Sequence, residues 1–235
     1  MQLKFLIGAG LAAFSLALPP VSAQAADIPV KGYRAVVAYY NWTGFYVGAN
    51  GGYGWGHSQW TDPTSLATTG NFSVKGAVFG GTLGYNYQLG SIVLGIEGDY
   101  DWSNIKGSTL AVCGGTIGCE TKNTWLATVR GRVGYAFDRW LPYLTGGLAY
   151  GNIKAVSDLG TDTSTKAGYA VGAGLEYAFM GNWSAKLEYL YVHLADGACN
   201  VACGAPVAPV DVKFTTNLIR AGLNYKFSGP IFSRY

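Results

Sequence analysis

One alternating run constrains this chain more than any other feature. Ala167, Tyr169, Val171, Ala173, Leu175, Tyr177 and Phe179 are separated by Gly168, Ala170, Gly172, Gly174, Glu176 and Ala178. Successive side chains of a strand point to opposite faces, so this stretch is a β-strand with one bulky apolar face and one small or polar face. Trp125, Ala127, Val129, Val133, Tyr135 and Phe137 alternate in the same way with Thr128, Arg130, Arg132 and Gly134. Such a strand must have different surroundings on its two sides.

The design recurs, and the pattern predicts eight strands at 42–55, 72–88, 92–105, 121–137, 142–155, 166–180, 183–195 and 211–227. The connections alternate in length. Long ones run from Gly56 to Asn71, Lys106 to Glu120, Val156 to Thr165 and Asp196 to Val210; short ones are Leu89-Gly90-Ser91, Asp138-Arg139-Trp140-Leu141 and Gly181-Asn182. Short turns at one end and long loops at the other mark an all-β, closed, up-and-down antiparallel transmembrane β-barrel, with both termini on the short-turn, periplasmic side. The competing all-β design is a soluble sandwich, which packs bulky aliphatics inward. Here the second face mixes Gly and Ala with charges, which suits a narrow lumen filled by small and paired polar groups.

The N-terminus agrees with export. Lys4, an apolar run from Phe5 to Leu18 and the pattern Ala23-Gln24-Ala25 read as a secretory signal peptide over 1–25, cleaved after Ala25 or Ala23. A periplasmic lead over 26–41, the barrel over 42–227 and a tail over 228–235 complete the expected organisation. The apolar run is shorter than the roughly 20 residues a spanning helix needs. Charged residues make up only 12 %, against roughly 25 % in a soluble domain, and a net charge of +3 gives no reason to expect nucleic acid as a partner. In an exported chain the close pairs Cys113/Cys119 and Cys199/Cys203 are disulfide candidates, with a metal site or free thiols as the other readings and the connectivity open.

The polar face carries the charges. Glu97, Asp99 and Asp101 fall on the third segment, Arg130 and Arg132 on the fourth, Glu176 on the sixth, Lys186 and Glu188 on the seventh, Arg220 and Lys226 on the eighth. Unpaired charges are costly away from water, so a balanced set of acids and bases implies ion pairs, first of all Glu97 or Asp99 with Arg130 or Arg132 on the neighbouring strand. Aromatic residues gather near segment ends, among them Trp55, Tyr85, Tyr100, Trp102, Tyr135, Trp140, Tyr177, Trp183 and Tyr225, as the two interfacial belts of a spanning barrel require. The last segment alternates through Ile219, Ala221, Leu223 and Tyr225 to Phe227, as a signal for the barrel-assembly machinery would.

The run Asn41-Trp42-Thr43-Gly44-Phe45-Tyr46-Val47-Gly48-Ala49-Asn50-Gly51-Gly52-Tyr53-Gly54-Trp55, together with Arg130-Gly131-Arg132-Val133-Gly134-Tyr135, Lys186-Leu187-Glu188-Tyr189 and Ile219-Arg220-Ala221-Gly222-Leu223-Asn224-Tyr225-Lys226-Phe227, resembles the small outer-membrane surface-antigen family of α-proteobacteria. That family is related to opacity proteins and to the OmpA-type transmembrane barrel. The resemblance implies an eight-stranded outer-membrane barrel exposed at the cell surface, with no catalytic residues. Roles of relatives in envelope integrity, host interaction or haem binding lie in variable loops.

A search for chemistry adds little. Of the two histidines, His57 and His193, His193 with Asp196, plus Ser58 or Ser65, offers the residue types of a base and nucleophile but no supporting spacing. The same histidines are the residue type that would ligate haem iron or a metal. Gly44 and Gly48, or Gly51-Gly52, lack the helix and the Lys-Ser/Thr pair of a phosphate loop. The expected function is a structural and surface-interaction protein with a lumen closed by paired charges. The alternatives are a small porin-like channel and a haem- or ligand-binding surface receptor. Expected partners are outer-membrane lipid, the barrel-assembly machinery and an extracellular ligand at the loops, with no cofactor.

Overall fold

Eight alternating segments leave no bare strand edge only when the last pairs with the first. In a computed structural model they do so. The strands are β1 (Gly44–Thr61), β2 (Phe72–Leu89), β3 (Ile92–Thr109), β4 (Cys119–Tyr135), β5 (Trp140–Ser157), β6 (Gly160–Met180), β7 (Trp183–Cys199) and β8 (Val210–Lys226). Each pairs antiparallel with its sequence neighbours, and β1 closes on β8 in a register that sets Tyr53 opposite Ile219. The structure describes residues 40–61, 68–110, 118–158, 160–199 and 210–227. The expected signal peptide, all of the lead but Tyr40 and Asn41, and the tail after Phe227 lie outside them.

At the short-turn rim β2 meets β3 through Gly90-Ser91 and β6 meets β7 through Gly181-Asn182. Gly90 and Gly181 sit at φ +61° and +50°, a region costly for other residues and needed where a chain reverses in two. At the opposite rim two differences from the sequence reading stand out. The expected long connection from Val156 to Thr165 is a hairpin, with Ser157 paired to Gly160 and only two residues between. The strands also continue past their expected ends, β1 to Thr61 and β3 to Thr109. The reason is chemical: Gln59, Thr61, Thr161, Thr163 and Thr165 occupy the outer face there, so apolar alternation stops while β-branched residues go on pairing.

The outer face is a band of exposed apolar side chains, with Leu83 60 % and Leu144 63 % exposed, which water would not tolerate over so wide a surface but lipid does. Aromatic pairs bound the band. Phe45–Tyr85, Trp140–Tyr177 and Trp183–Tyr225 lie toward the short turns, with ring centroids 4.6, 4.4 and 5.1 Å apart. Phe79–Trp102, Tyr100–Trp125 and Tyr169–Tyr191 lie toward the opposite rim. A bulge around Thr124 shifts the phase of β4, so that Leu126 and Asn123 both face inward; Asn152 Oδ1 fills it, accepting from the Thr124 backbone N–H at 2.9 Å and from its hydroxyl at 2.8 Å.

The interior has three layers. Trp42, Val93, Leu141 and Ala178 cluster near the short turns. A polar layer follows. Above it a larger apolar cluster includes Trp60, Phe72, Val74, Ile105, Leu126, Ile153, Leu190, Leu194, Phe214 and Leu218. This corrects the expectation of an interior filled only by small and polar groups. The missed residues share the inward phase of the charges: Leu190, Val192 and Leu194 continue the face begun by Lys186 and Glu188.

Candidate functional site

The polar layer draws on all eight strands. Glu97 and Arg130 are directly opposed across β3 and β4, so register alone brings the first ion pair together. Arg130 then spreads its guanidinium over three carboxylates, with Nη2 2.7 Å from Glu97 and 2.6 Å from Asp99 and Nη1 3.0 Å from Glu188 across the lumen. Arg132 reaches Glu176 at 2.7 Å and Glu97 at 3.3 Å. Lys186 Nζ lies 2.9 Å from Glu97. Arg220 on β8 holds Asp101 and Glu188, each at 2.5 Å. Planar five-donor guanidiniums suit this work, since one arginine can engage acids from different strands at once. The network ties β3 to β7 and β8, and β4 to β6 and β7, by bonds that bypass the sheet.

Nine of the ten charged residues expected in the lumen converge here. Lys226 does not, which corrects its assignment: its half-buried side chain turns to the short-turn rim, where Nζ donates to the Asn41 carbonyl oxygen and lies 4.3 Å over the Tyr40 ring. Five carboxyl groups therefore face four basic groups; neutral donors add hydrogen bonds to four of the acids, while Asp101 Oδ1 is left without one. The Tyr46 hydroxyl donates to Glu97 at 2.7 Å and Tyr143 to Glu188 at 3.0 Å. Ser184 and Asn224 donate to Glu176, Thr82 and Thr128 to Asp99. Sequence reading missed these partners, although every one stands in the inward phase of its strand; charge was the only signal sought on that face. At the rim below, burial first and the Glu176 carboxylate second push the Tyr40 phenol up to about 12.

The Arg130 and Arg220 side chains are 0 % exposed, each between carboxylates from different strands and with apolar side chains above and below. Such groups can hold strands together and fix register, out of reach of bulk solvent.

The other sequence candidates are placed less productively. Ser58 faces inward and shares a 3.0 Å hydrogen bond with Thr121, while His193, like His57, faces outward, so Ser58 and His193 stand on opposite sides of the sheet. Ser65 lies outside the described residues, as does the Asp196 side chain. His57 and His193 flank Thr215 on adjacent strands, with His193 Nδ1 3.3 Å from the Thr215 hydroxyl, but no cluster of three metal-ligating side chains occurs among the described residues. Cys119 opens β4, is buried and is disulfide-bonded. Cys113 and Cys203 lie outside the described residues, and Cys199 ends β7.

Comparison with known proteins agrees with this architecture. The chain is 40 % identical to a 31 kDa outer-membrane immunogenic protein of Brucella melitensis, over 88 % of this chain and 94 % of the relative. It is 32 % identical to a 25 kDa outer-membrane immunogenic protein of Brucella abortus, over 94 % and 96 %, and 36 % identical to a 22 kDa outer membrane protein of Rhizobium leguminosarum, over 80 % and 79 %. The crystal structure of the outer membrane protein OprG from Pseudomonas aeruginosa shares the fold at 15 % identity, with a TM-score of 0.50 over 80 % of this chain and 97 % of that one. The outer membrane protein beta-barrel domain family matches residues 11–227. With that match and these relatives, the chain belongs to the outer membrane β-barrel protein family and resides in the bacterial outer membrane.

Proposed function

We propose that this protein is a non-conducting surface barrel whose lumen is plugged by its ion-pair layer. Its role is structural, in envelope integrity, and interactive, through the connections on the long-loop side. The observation that carries this is the complete burial of Arg130 and Arg220 in mid-lumen. A channel needs water beside its charges, and an eight-stranded barrel is just wide enough for side chains to fill it. The lumen charges here are spent on each other.

With short turns in the periplasm, as in barrels of this type, the interacting surface faces outward, and relatives named immunogenic support that orientation. The outward phase of β8, ending at Phe227, is the element offered to the assembly machinery. The test is single-channel recording on the mature protein refolded into planar bilayers, after heat-modifiable migration verifies the barrel. Electrical silence is expected; steady conductance above background overturns the plugged reading. The envelope role predicts that a deletion strain becomes sensitive to detergent and that the gene in trans restores resistance.

A further inference from the structure

Beyond the upper aromatic belt the outer face turns polar, and over four consecutive strands it carries a row of lysines. Lys75 on β2 is paired with Lys106 on β3, Lys106 with Lys122 on β4, and Lys122 with Lys154 on β5. Their chain neighbours Val74, Ile105, Thr121 and Ile153 are buried inward, so all four lysines leave the barrel on its outer face. Directly opposed side chains on neighbouring strands have Cβ atoms about 4.5–5.5 Å apart, and like charges so placed destabilise the pairing. Among the described residues Glu120 reaches the row, 3.2 Å from Lys122. Four cations in a line therefore call for an external polyanion.

The height of the row narrows the choice. Lys75, Lys106 and Lys154 stand four residues beyond the outermost outward aromatics Phe79, Trp102 and Tyr150, and Lys122 stands three from Trp125. At about 3.3 Å per residue along tilted strands, the lysine stems reach back over the headgroup zone while their ammonium groups stay wet.

We propose that the Lys75-Lys106-Lys122-Lys154 row binds the phosphate groups of an outer-leaflet glycolipid, the phosphorylated anchor of lipopolysaccharide. A ladder of ammonium groups matches a headgroup with more than one phosphate, and relief of lysine repulsion makes binding stabilise the barrel.

The test refolds the mature chain into phosphatidylcholine vesicles with or without purified bis-phosphorylated lipid A and follows the heat-modifiable transition. Lipid A should raise the midpoint by several degrees, and dephosphorylated lipid A should not. The Lys75→Gln/Lys106→Gln/Lys122→Gln/Lys154→Gln variant should lose the shift, while Lys213→Gln, on β8, should keep it. Without lipid A the variant should melt no lower than wild type, because its repulsion is gone; the milder Lys106→Gln/Lys122→Gln variant should lose about half the shift. An undiminished shift in both variants, or an equal shift with dephosphorylated lipid, overturns the proposal. An equal shift with free inorganic phosphate in plain vesicles would reassign the row to small anions and reject the lipid.

Discussion

The ring of Tyr143 lies over Gly174, its partner on the next strand, in the space a Cβ would take, and its hydroxyl reaches Glu188 at 3.0 Å. Tyr46 stands in the same relation to Gly84 and delivers its hydroxyl to Glu97. Each glycine thus positions a phenol that satisfies a lumen carboxylate.

Gly174→Ala should therefore displace the ring and deprive Glu188 of a donor. Overpacking of this kind costs about 1–3 kcal/mol, to be read as a lower urea midpoint of the refolded barrel in vesicles. Gly146→Ala, whose Cβ would point to lipid, should change the midpoint by less than about 0.5 kcal/mol.

Arg130→Met leaves Glu97, Asp99 and Glu188 turned toward one another without the cation that joins them. Removing one partner of a buried ion pair costs about 3–5 kcal/mol. Adding Asp99→Asn and Glu188→Gln should recover a measurable part of the loss in equilibrium unfolding. A triple variant no more stable than Arg130→Met would show that the arginine does not act through these acids.

Phe214→Ala opens a hole in the apolar cluster above the charges. A cost of about 3–5 kcal/mol is expected, with bilayer recordings still silent, because the ion-pair layer and, below it, Trp42 and Leu141 still close the lumen. Current through this variant would locate the seal in the upper cluster alone.

On the lipid face Leu144→Arg should cost about 2–4 kcal/mol, the value for a cation near mid-bilayer. Thr163→Arg, outward-facing beyond the belt on β6, should be nearly neutral. Unfolding titrations of the two in vesicles place the membrane on the barrel directly.

The number of strands, their order and the location of the charges were legible because a period of two is hard to mistake where one face meets lipid. Legibility failed where that contrast fails. At Gln59, Thr163 and Thr165 the outer residues are polar, so the strand ends and the β5–β6 hairpin were invisible. At Leu190, flanked by Tyr189 and Tyr191, both faces are bulky and apolar, and at Phe214 the apolar side has moved inward behind Lys213 and Thr215, so phase alone would have told inside from outside. Lys226 keeps the inward phase of Arg220 and Asn224 and leaves the network only because it is the last residue of its strand, where the Asn41 carbonyl and the Tyr40 ring are nearer than any acid. The hydroxyl and amide partners of the acids carry no charge to announce them.

Above the upper belt the inward residues Trp60, Phe72, Val74, Ile153, Val212 and Phe214 still pack together, so the collar standing clear of the lipid carries its own dry interior. Its folding thus needs nothing from the bilayer, and outside the lysine row the polar residues on its outer surface answer neither to lipid nor to packing. A lineage under immune pressure could rewrite that surface freely, because recognition there has been uncoupled from the residues that keep the barrel standing.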